Sequence, residues 1–299
     1  MQRTFIIGDK WLYYKLYTGQ KTADSIITEI VGKLSIKFTS EGVSDEWFFL
    51  RYADPQFHIR WRIGLTDPAS IGYVAAEIRK AIFPLMDNDL IYKVQADTYK
   101  REIERYGSNS IEIIEHLFWQ NSLLVYEYLN KVAEDVDEKV RWLFSMRFID
   151  SFLSSFNYNL ERKVELLTLM AGSYGKEFNI DSTLINQLSD RYRIEKKTIF
   201  QFMRFDNDEN NNNALMLHLI NSNNERSEFY IREILILVDN NALKITLDNL
   251  MISFVHMFMN RLFRSKQRLH EMVIYGFLMR YYRSQLAVNK SLNPNYAID

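Results

Sequence analysis

The chain contains no cysteine, which excludes disulfides, thiolate metal sites and cysteine nucleophiles. Glycine and proline are scarce, 10 and 4 in 299 residues, so the chain is rich in regular elements and poor in loops. No excess of charge of either sign exists: 37 Lys and Arg against 38 Asp and Glu give a net charge of -1. No general field therefore draws the chain to nucleic acid or an anionic membrane, and any anion site must be local. No apolar run approaches the ~20 residues of a membrane span, and the apolar stretch after Met1 is too short for a signal sequence, so a cytoplasmic protein is expected. Phosphate-loop, dinucleotide and G-x-S-x-G patterns are absent, leaving nucleotide hydrolysis, hydride transfer and serine-hydrolase chemistry without support. What is abundant is apolar residue: 47% of the chain, ample for a sizeable core.

Charge sits in an unusual pattern between Trp47 and Ile63. Two alternating runs flank Ala53-Asp54-Pro55, a turn signal, and read as a hairpin. In the second run His58, Arg60 and Arg62 share one face while Phe57, Ile59, Trp61 and Ile63 share the other. A half-buried sheet that merely turns its cations to water explains this cheaply. Three potential cations in five residues nonetheless repel one another, and an anion among them relieves that repulsion.

Ahead of the hairpin, Trp11 to Tyr17 alternates as a strand, and Thr22-Ala23-Asp24-Ser25 is expected to cap a helix through Leu34. After it, Thr66-Asp67-Pro68 predicts a capped helix carrying Ile71, Val74, Ile78 and Ile82, and Leu90 to Ala96 predicts a strand. The order β-α-β-β-α-β is that of a ferredoxin-like antiparallel sheet with both helices on one face. From about Ile111 amphipathic runs dominate. The expected fold class is α+β: a ferredoxin-like sheet region near the N-terminus and a mostly helical remainder, one domain over 1–299 divided into 1–107 and 108–299. Asp206 to Asn213 is expected to be a mobile loop, Asn221 to Arg226 a turn, and the tail after Leu292 frayed.

Further residues invite a chemical reading. Glu102 and Arg105, three apart, make an ordinary surface ion pair unless something else claims them. None of the five histidines has metal-helix spacing, so no metal is expected. His256 lies in an apolar helix between Leu247 and Phe263 with Asn260 four residues on and Arg261 beside it; a lone histidine there is more often a satisfied core residue than a catalyst.

Four blocks carry a resemblance: Trp11 to Tyr17; Arg51-Tyr52-Ala53-Asp54-Pro55 with His58, Arg60 and Arg62; Asp97 to Gly107; and His256-Met257-Phe258-Met259-Asn260-Arg261-Leu262. Together they resemble the C-terminal elimination domain of class I lantibiotic dehydratases, the domain also found alone in thiopeptide biosynthesis. The resemblance implies β-elimination of glutamate from glutamylated Ser or Thr of a ribosomally made precursor peptide, giving dehydroalanine or dehydrobutyrine without a cofactor. It implies Arg60, Arg62, Arg105 and His256 as catalytic groups, with Glu102, His58, Asn260 and Arg261 expected at the substrate. Guanidiniums suit developing negative charge and a departing carboxylate, and imidazole titrates nearest neutral pH. Whether His256 removes the Cα proton or serves the leaving group stays open on these grounds. A separate tRNA-dependent glutamylation protein is the implied partner, with no direct nucleic-acid contact; a homodimer and leader binding are left open. Asn121-Ser122 stands where relatives often carry Asp-Ser, and no role is assigned there. Two rivals share the features: a pyridine-forming cycloaddition enzyme of the same fold, and a non-catalytic scaffold whose cationic face binds an acidic peptide.

Overall fold

The computed structural model of the chain describes residues 1–132, 138–177, 181–205 and 212–292. The chain forms two compact units, one of residues 1–135 with 225–265, the other of residues 136–224 with 266–299.

The first unit is built on a four-stranded antiparallel sheet. Its strands are β2 (Trp11–Thr18), β3 (Ser44–Ala53), β4 (Phe57–Leu65) and β5 (Ile91–Ala96), in the order β3-β4-β2-β5, the ferredoxin-like order expected. A small second sheet pairs β1 (Thr4–Phe5) with β6 (Tyr99–Lys100). One face of the larger sheet carries Leu12, Leu16, Ile59, Trp61 and Ile63, all buried. Helices α1 (Ala23–Ile26) and α2 (Lys33–Ser40), joined by a π-helical turn over Ile27–Gly32, and α3 (Ile71–Asp87) cover it. The Trp61 indole donates to Ser35 Oγ at 2.9 Å, and Ile78 and Ile82 of α3 line a space with Tyr14 and Val94. The helix over α1–α2 is approached closely by α5 (Ile111–Lys131): a Cβ on Gly32 would lie 2.0 Å from the Tyr126 ring, so only glycine fits there.

The opposite sheet face, which the alternation could have given to water, is also covered. Phe48 packs on Phe118 of α5 at 5.5 Å between ring centroids, and Phe118 stacks on Phe254 of α10 (Leu247–Leu262). Between sheet and α5 lies the short α4 (Ile103–Tyr106), closed by Gly107 at φ +81°, the left-handed region that glycine enters without strain. The second unit is helical: α6 (Glu138–Ser155), α7 (Leu160–Glu177), α8 (Ser182–Met203), the start of α9 (Asn212–Asp239), and α11 (Gln267–Leu292).

Two expectations need correction. Thr22 occupies the position before α1, but it is itself helical and its side chain caps nothing; Asp24 is instead the carboxylate partner of Arg51 and Arg264. Asn221 to Arg226 forms no turn and runs inside α9. Asparagine costs a helix only a few tenths of a kcal/mol per residue, and here Asn223 is buried while Asn224 donates to Ser151 Oγ at 2.6 Å. Of the Asn-rich stretch, residues 206–211 lie outside the described residues, as does the tail from 293.

Candidate active site

The covered cationic face begins with β4. The register sets His58, Arg60 and Arg62 opposite Tyr17, Lys15 and Tyr13 of β2 and opposite Tyr52, Leu50 and Phe48 of β3. Aromatic rings therefore flank His58 and Arg62, while Arg60 stands between Lys15 and Leu50. The Arg62 guanidinium lies 4.5 Å from the Tyr13 ring centroid, 4.6 Å from Tyr99 and 5.1 Å from Phe48. Arg62 is 7% exposed, and its Nε and one Nη are buried with no hydrogen-bond partner among the described residues. Arg60 stacks on Tyr52 at 3.4 Å and donates from Nε to His58 Nε2 at 3.2 Å. His58 is fully buried, and its Nδ1–H donates to the Gln56 carbonyl at 2.8 Å, which leaves Nε2 as an acceptor. Burial and the neighbouring Arg60 and Lys15 charges push its pKa down, in keeping with a neutral ring.

The segment after β6 supplies the next groups. Glu102 precedes α4, and Arg105, one turn on, meets its carboxylate at 3.4 Å, the i,i+3 pair expected. Arg105 does more than pair: its Nε donates to Ser253 Oγ of α10 at 3.2 Å, across 148 residues of sequence. Between them Tyr106 is 3% exposed. Burial lifts its hydroxyl to about 12, against the opposing fields of Arg105, Arg261 and Arg62. Three guanidiniums from three elements thus act on one phenol.

Helix α10 is anchored at both ends of one stripe. Ser253, His256 and Asn260 fall on one face at i, i+3 and i+7. Ser253 accepts from Arg105, while the Asn260 carboxamide is spent on the open edge of β3: Arg51 N–H donates to Oδ1 at 2.9 Å and Nδ2 donates to the Arg51 carbonyl at 2.6 Å. His256, half-buried, lies between those two attachments along the same stripe of α10. Arg261 is wholly buried; it donates to Ser122 Oγ at 3.1 Å and to the Met257 carbonyl at 3.0 Å, and lies 4.7 Å from the Phe118 ring. Burial lowers its pKa to about 9, with Arg62 adding to the effect. One of its Nη atoms also has no hydrogen-bond partner among the described residues.

The structure thus gathers Arg62, Arg105 and Arg261 around Tyr106 and puts His256 on the helix that Arg105 grips. Arg60 continues the same face two residues along β4, roughly 7 Å away at ~3.3 Å per residue. Asn260 and His58 turn toward backbone and neighbouring scaffold groups. Sequence reasoning passed over Ser253 and assigned no role to Tyr106, Ser122 or Arg51. Tyr106 lies inside one of the blocks that carried the resemblance, whereas a serine in an apolar helix gives no signal of a partner so distant in the chain. Ser122 accepts from the Phe49 N–H at 3.2 Å as well as from Arg261, so it helps close the β3 edge.

Set beside known proteins, residues 11–282 match the family model described as lantibiotic biosynthesis dehydratase C-terminal, and the chain belongs to that family. Among curated proteins it is 28% identical over 201 residues to the subtilin biosynthesis protein SpaB of Bacillus subtilis, spanning 61% of this chain and 18% of SpaB. It is 24% identical over 206 residues to the nisin biosynthesis protein NisB of Lactococcus lactis subsp. lactis, spanning 63% of this chain and 19% of NisB. The matched stretch is thus about a fifth of those proteins' length. Two solved structures share the fold over 93% of this chain: the tRNA-dependent lantibiotic dehydratase MibB from Microbispora sp. 107891, at TM-score 0.71, 16% identity and 29% of its chain, and the pyridine synthase TbtD from thiomuracin biosynthesis, at TM-score 0.67, 12% identity and 99% of its chain. At these identities the likeness is one of fold. No described helix is long and apolar enough to cross a membrane.

Proposed function

We propose that the chain removes glutamate from glutamylated Ser or Thr residues of a ribosomally made precursor peptide, leaving a dehydro residue. The observation that carries this reading is the buried guanidinium cluster, with N–H donors on Arg62 and Arg261 that meet no acceptor among the described residues, together with a histidine on the helix that Arg105 holds. Unpaired buried donors cost about 1–3 kcal/mol each, and an anionic ligand relieves that cost.

The chemistry is a balanced elimination. A base takes the Cα proton, the C–H electron pair becomes the Cα=Cβ bond, and the Cβ–O bond breaks with its electrons leaving on the glutamate carboxylate. Carboxylates ionise near pH 4, so this leaving group needs no proton. The weakly acidic Cα–H does need a base, which assigns that role to His256. As charge grows on the adjacent amide oxygen, Arg62 and Arg105 stabilise it, and Arg60 holds a glutamyl carboxylate at the outer end of the same face. Asn260 serves the substrate indirectly by fixing α10, while Arg261 turns to the same anion the N–H that meets no acceptor among the described residues. The reaction has no call for a cofactor, and a tRNA-dependent glutamylation activity on another protein supplies the ester.

Arg105→Ala and His256→Ala are expected to fold like the parent while glutamylated peptide accumulates, with turnover reduced roughly 10²–10⁴-fold for the histidine change and roughly 10²–10³-fold for the arginine change. Mass spectrometry of the peptide reads the outcome, and unchanged turnover removes both assignments. Ring closure from an already dehydrated peptide, without glutamate loss, would instead favour the pyridine-forming rival.

A further inference from the structure

The two edges of the four-stranded sheet are treated differently. The β3 edge is closed by side chains, Ser122 on the Phe49 N–H and Asn260 on both backbone groups of Arg51. The β5 edge is left open. Asp97 N–H donates to the Tyr13 carbonyl at 2.9 Å, and the antiparallel register pairs Lys15 with Gln95 and Tyr17 with Lys93. By alternation, Val94 and Ala96 turn their N–H and C=O groups outward, up to the register shift that follows the Tyr17–Lys93 pair. Among the described residues no strand, loop or side chain bonds to them.

Beside that edge runs an apolar groove of about 190 Å³, roughly six waters' worth at ~30 Å³ each. Ile78, Ile82, Phe83 and Met86 of α3 form one wall, Tyr14 and Val94 the other. Phe83 is 51% exposed and Tyr92 48%, in a chain whose other sheet edge is sealed. Open edges invite aggregation and are usually blunted, so one left open beside a pocket calls for an occupant. An edge with an adjoining helix groove is the arrangement in which an extended peptide adds as a strand: main-chain bonds provide affinity and alternate side chains fill the pocket. The charges specify the rest. Lys93 and Arg79 are exposed on this rim, and neither meets a carboxylate among the described residues, whereas Asp97 at the strand's end is taken by Lys15.

We propose that the outer edge of β5 binds an extended segment of the precursor peptide as an added strand, its alternate apolar side chains entering the α3–β5 groove and its intervening acidic ones passing Lys93. This rests on the glutamate-elimination reading for the identity of the occupant. It also joins the two surfaces. A strand added at β5 lies three spacings from β4, about 14 Å at ~4.8 Å each, and about four extended residues cover that distance to Arg60. The edge holds the peptide while a downstream residue reaches the guanidiniums.

The test begins with binding alone, using a fluorescein-labelled Leu-Glu repeat peptide of roughly eight residues, enough to span an edge strand. Fluorescence anisotropy is expected to show saturable binding that weakens roughly tenfold or more in Val94→Pro, which removes one outward N–H, and in Ala75→Tyr, which fills the groove. Amide exchange should slow at Val94 and Ala96 on peptide addition and stay unchanged at Lys93 and Gln95. In the second arm, attaching the repeat ahead of a glutamylated serine is expected to lower KM about fivefold or more with kcat unchanged, a gain that Val94→Pro abolishes. Should neither substrate lose glutamate, the elimination reading fails while the binding arm still decides the edge. Binding that both variants leave intact, exchange that slows elsewhere, or a homodimer that Val94→Pro dissolves would each overturn the proposal.

Discussion

Asn260 offers a direct probe of how α10 is held. Its carboxamide makes two hydrogen bonds to the backbone of Arg51, one accepted and one donated, in a place where Asn260 is 8% and Arg51 3% exposed. Asn260→Ala removes both partners and leaves a peptide N–H and a C=O stranded. Each such group costs about 1–3 kcal/mol, and water entering the vacated space recovers part of that, so a loss of about 2–4 kcal/mol is expected. For a urea dependence near 2 kcal/mol/M the midpoint falls by roughly 1–2 M. Tryptophan fluorescence is the suitable signal, because Trp11, Trp47 and Trp61 are all buried in the sheet unit. Asn249→Ala, on the exposed first turn of the same helix, is the control and should stay within about 0.5 kcal/mol. A loss below about 1 kcal/mol for Asn260→Ala would show that the sheet edge does not depend on this side chain and would remove the argument that it sets the position of His256.

Arg62→Met should separate folding from function: a buried cation with unpaired nitrogens gives way to a thioether among three rings, so stability is held or rises by about 1 kcal/mol or more while glutamate release is lost. Loss of folding there would mean that Arg62 is a structural ion. Glu46 makes a pH prediction. It is 3% exposed, and burial first, then the Glu115 carboxylate, lifts its pKa to about 8 against the pull of Lys10. His116 Nδ1 lies 3.2 Å away with its own pKa pushed down by burial, so it offers the Glu46 carboxylate no compensating hydrogen bond. A carboxyl whose folded pKa is raised binds its proton more tightly when folded; its contribution is present below the unfolded value near 4.5 and is lost as pH climbs toward 8. Urea midpoints should therefore fall more between pH 5.5 and 8.5 in the parent than in Glu46→Gln, and equal falls would refute the shift. Ser253→Ala should cut turnover more than stability, because Arg105 is half-exposed and loses its hydrogen bond to α10; a drop in stability with turnover intact would reverse that assignment.

The sheet was readable in the sequence because alternation is a local property: Trp11–Thr18 and Phe57–Leu65 appear where the apolar-polar period places them, and Asp67 caps the turn before α3 by accepting from the Ala69 N–H. The cationic stripe on β4 was readable for the same reason. Its surroundings were not. That face could equally have met water, and only the packing of Phe118 and Phe254 over Phe48 shows it covered. Asn260 could be singled out by its place beside His256, yet its use, binding a strand edge 209 residues earlier, depends on topology. Thr22 and Asn221 to Arg226 misled in a common way. Polar residues that favour caps and turns also serve tertiary bonds, and here Asp24 and Asn224 are drawn to partners in other elements.

The central claim is that Arg62, Arg105 and His256 act together to expel glutamate. It is tested most directly by incubating the purified chain with a peptide bearing one glutamyl ester on serine, then measuring free glutamate and peptide mass together. The account predicts one glutamate released per ester and a peptide lighter than the serine form by one water, with both products nearly absent for His256→Ala. Glutamate release that regenerates the serine form, or a peptide that stays glutamylated, would contradict it.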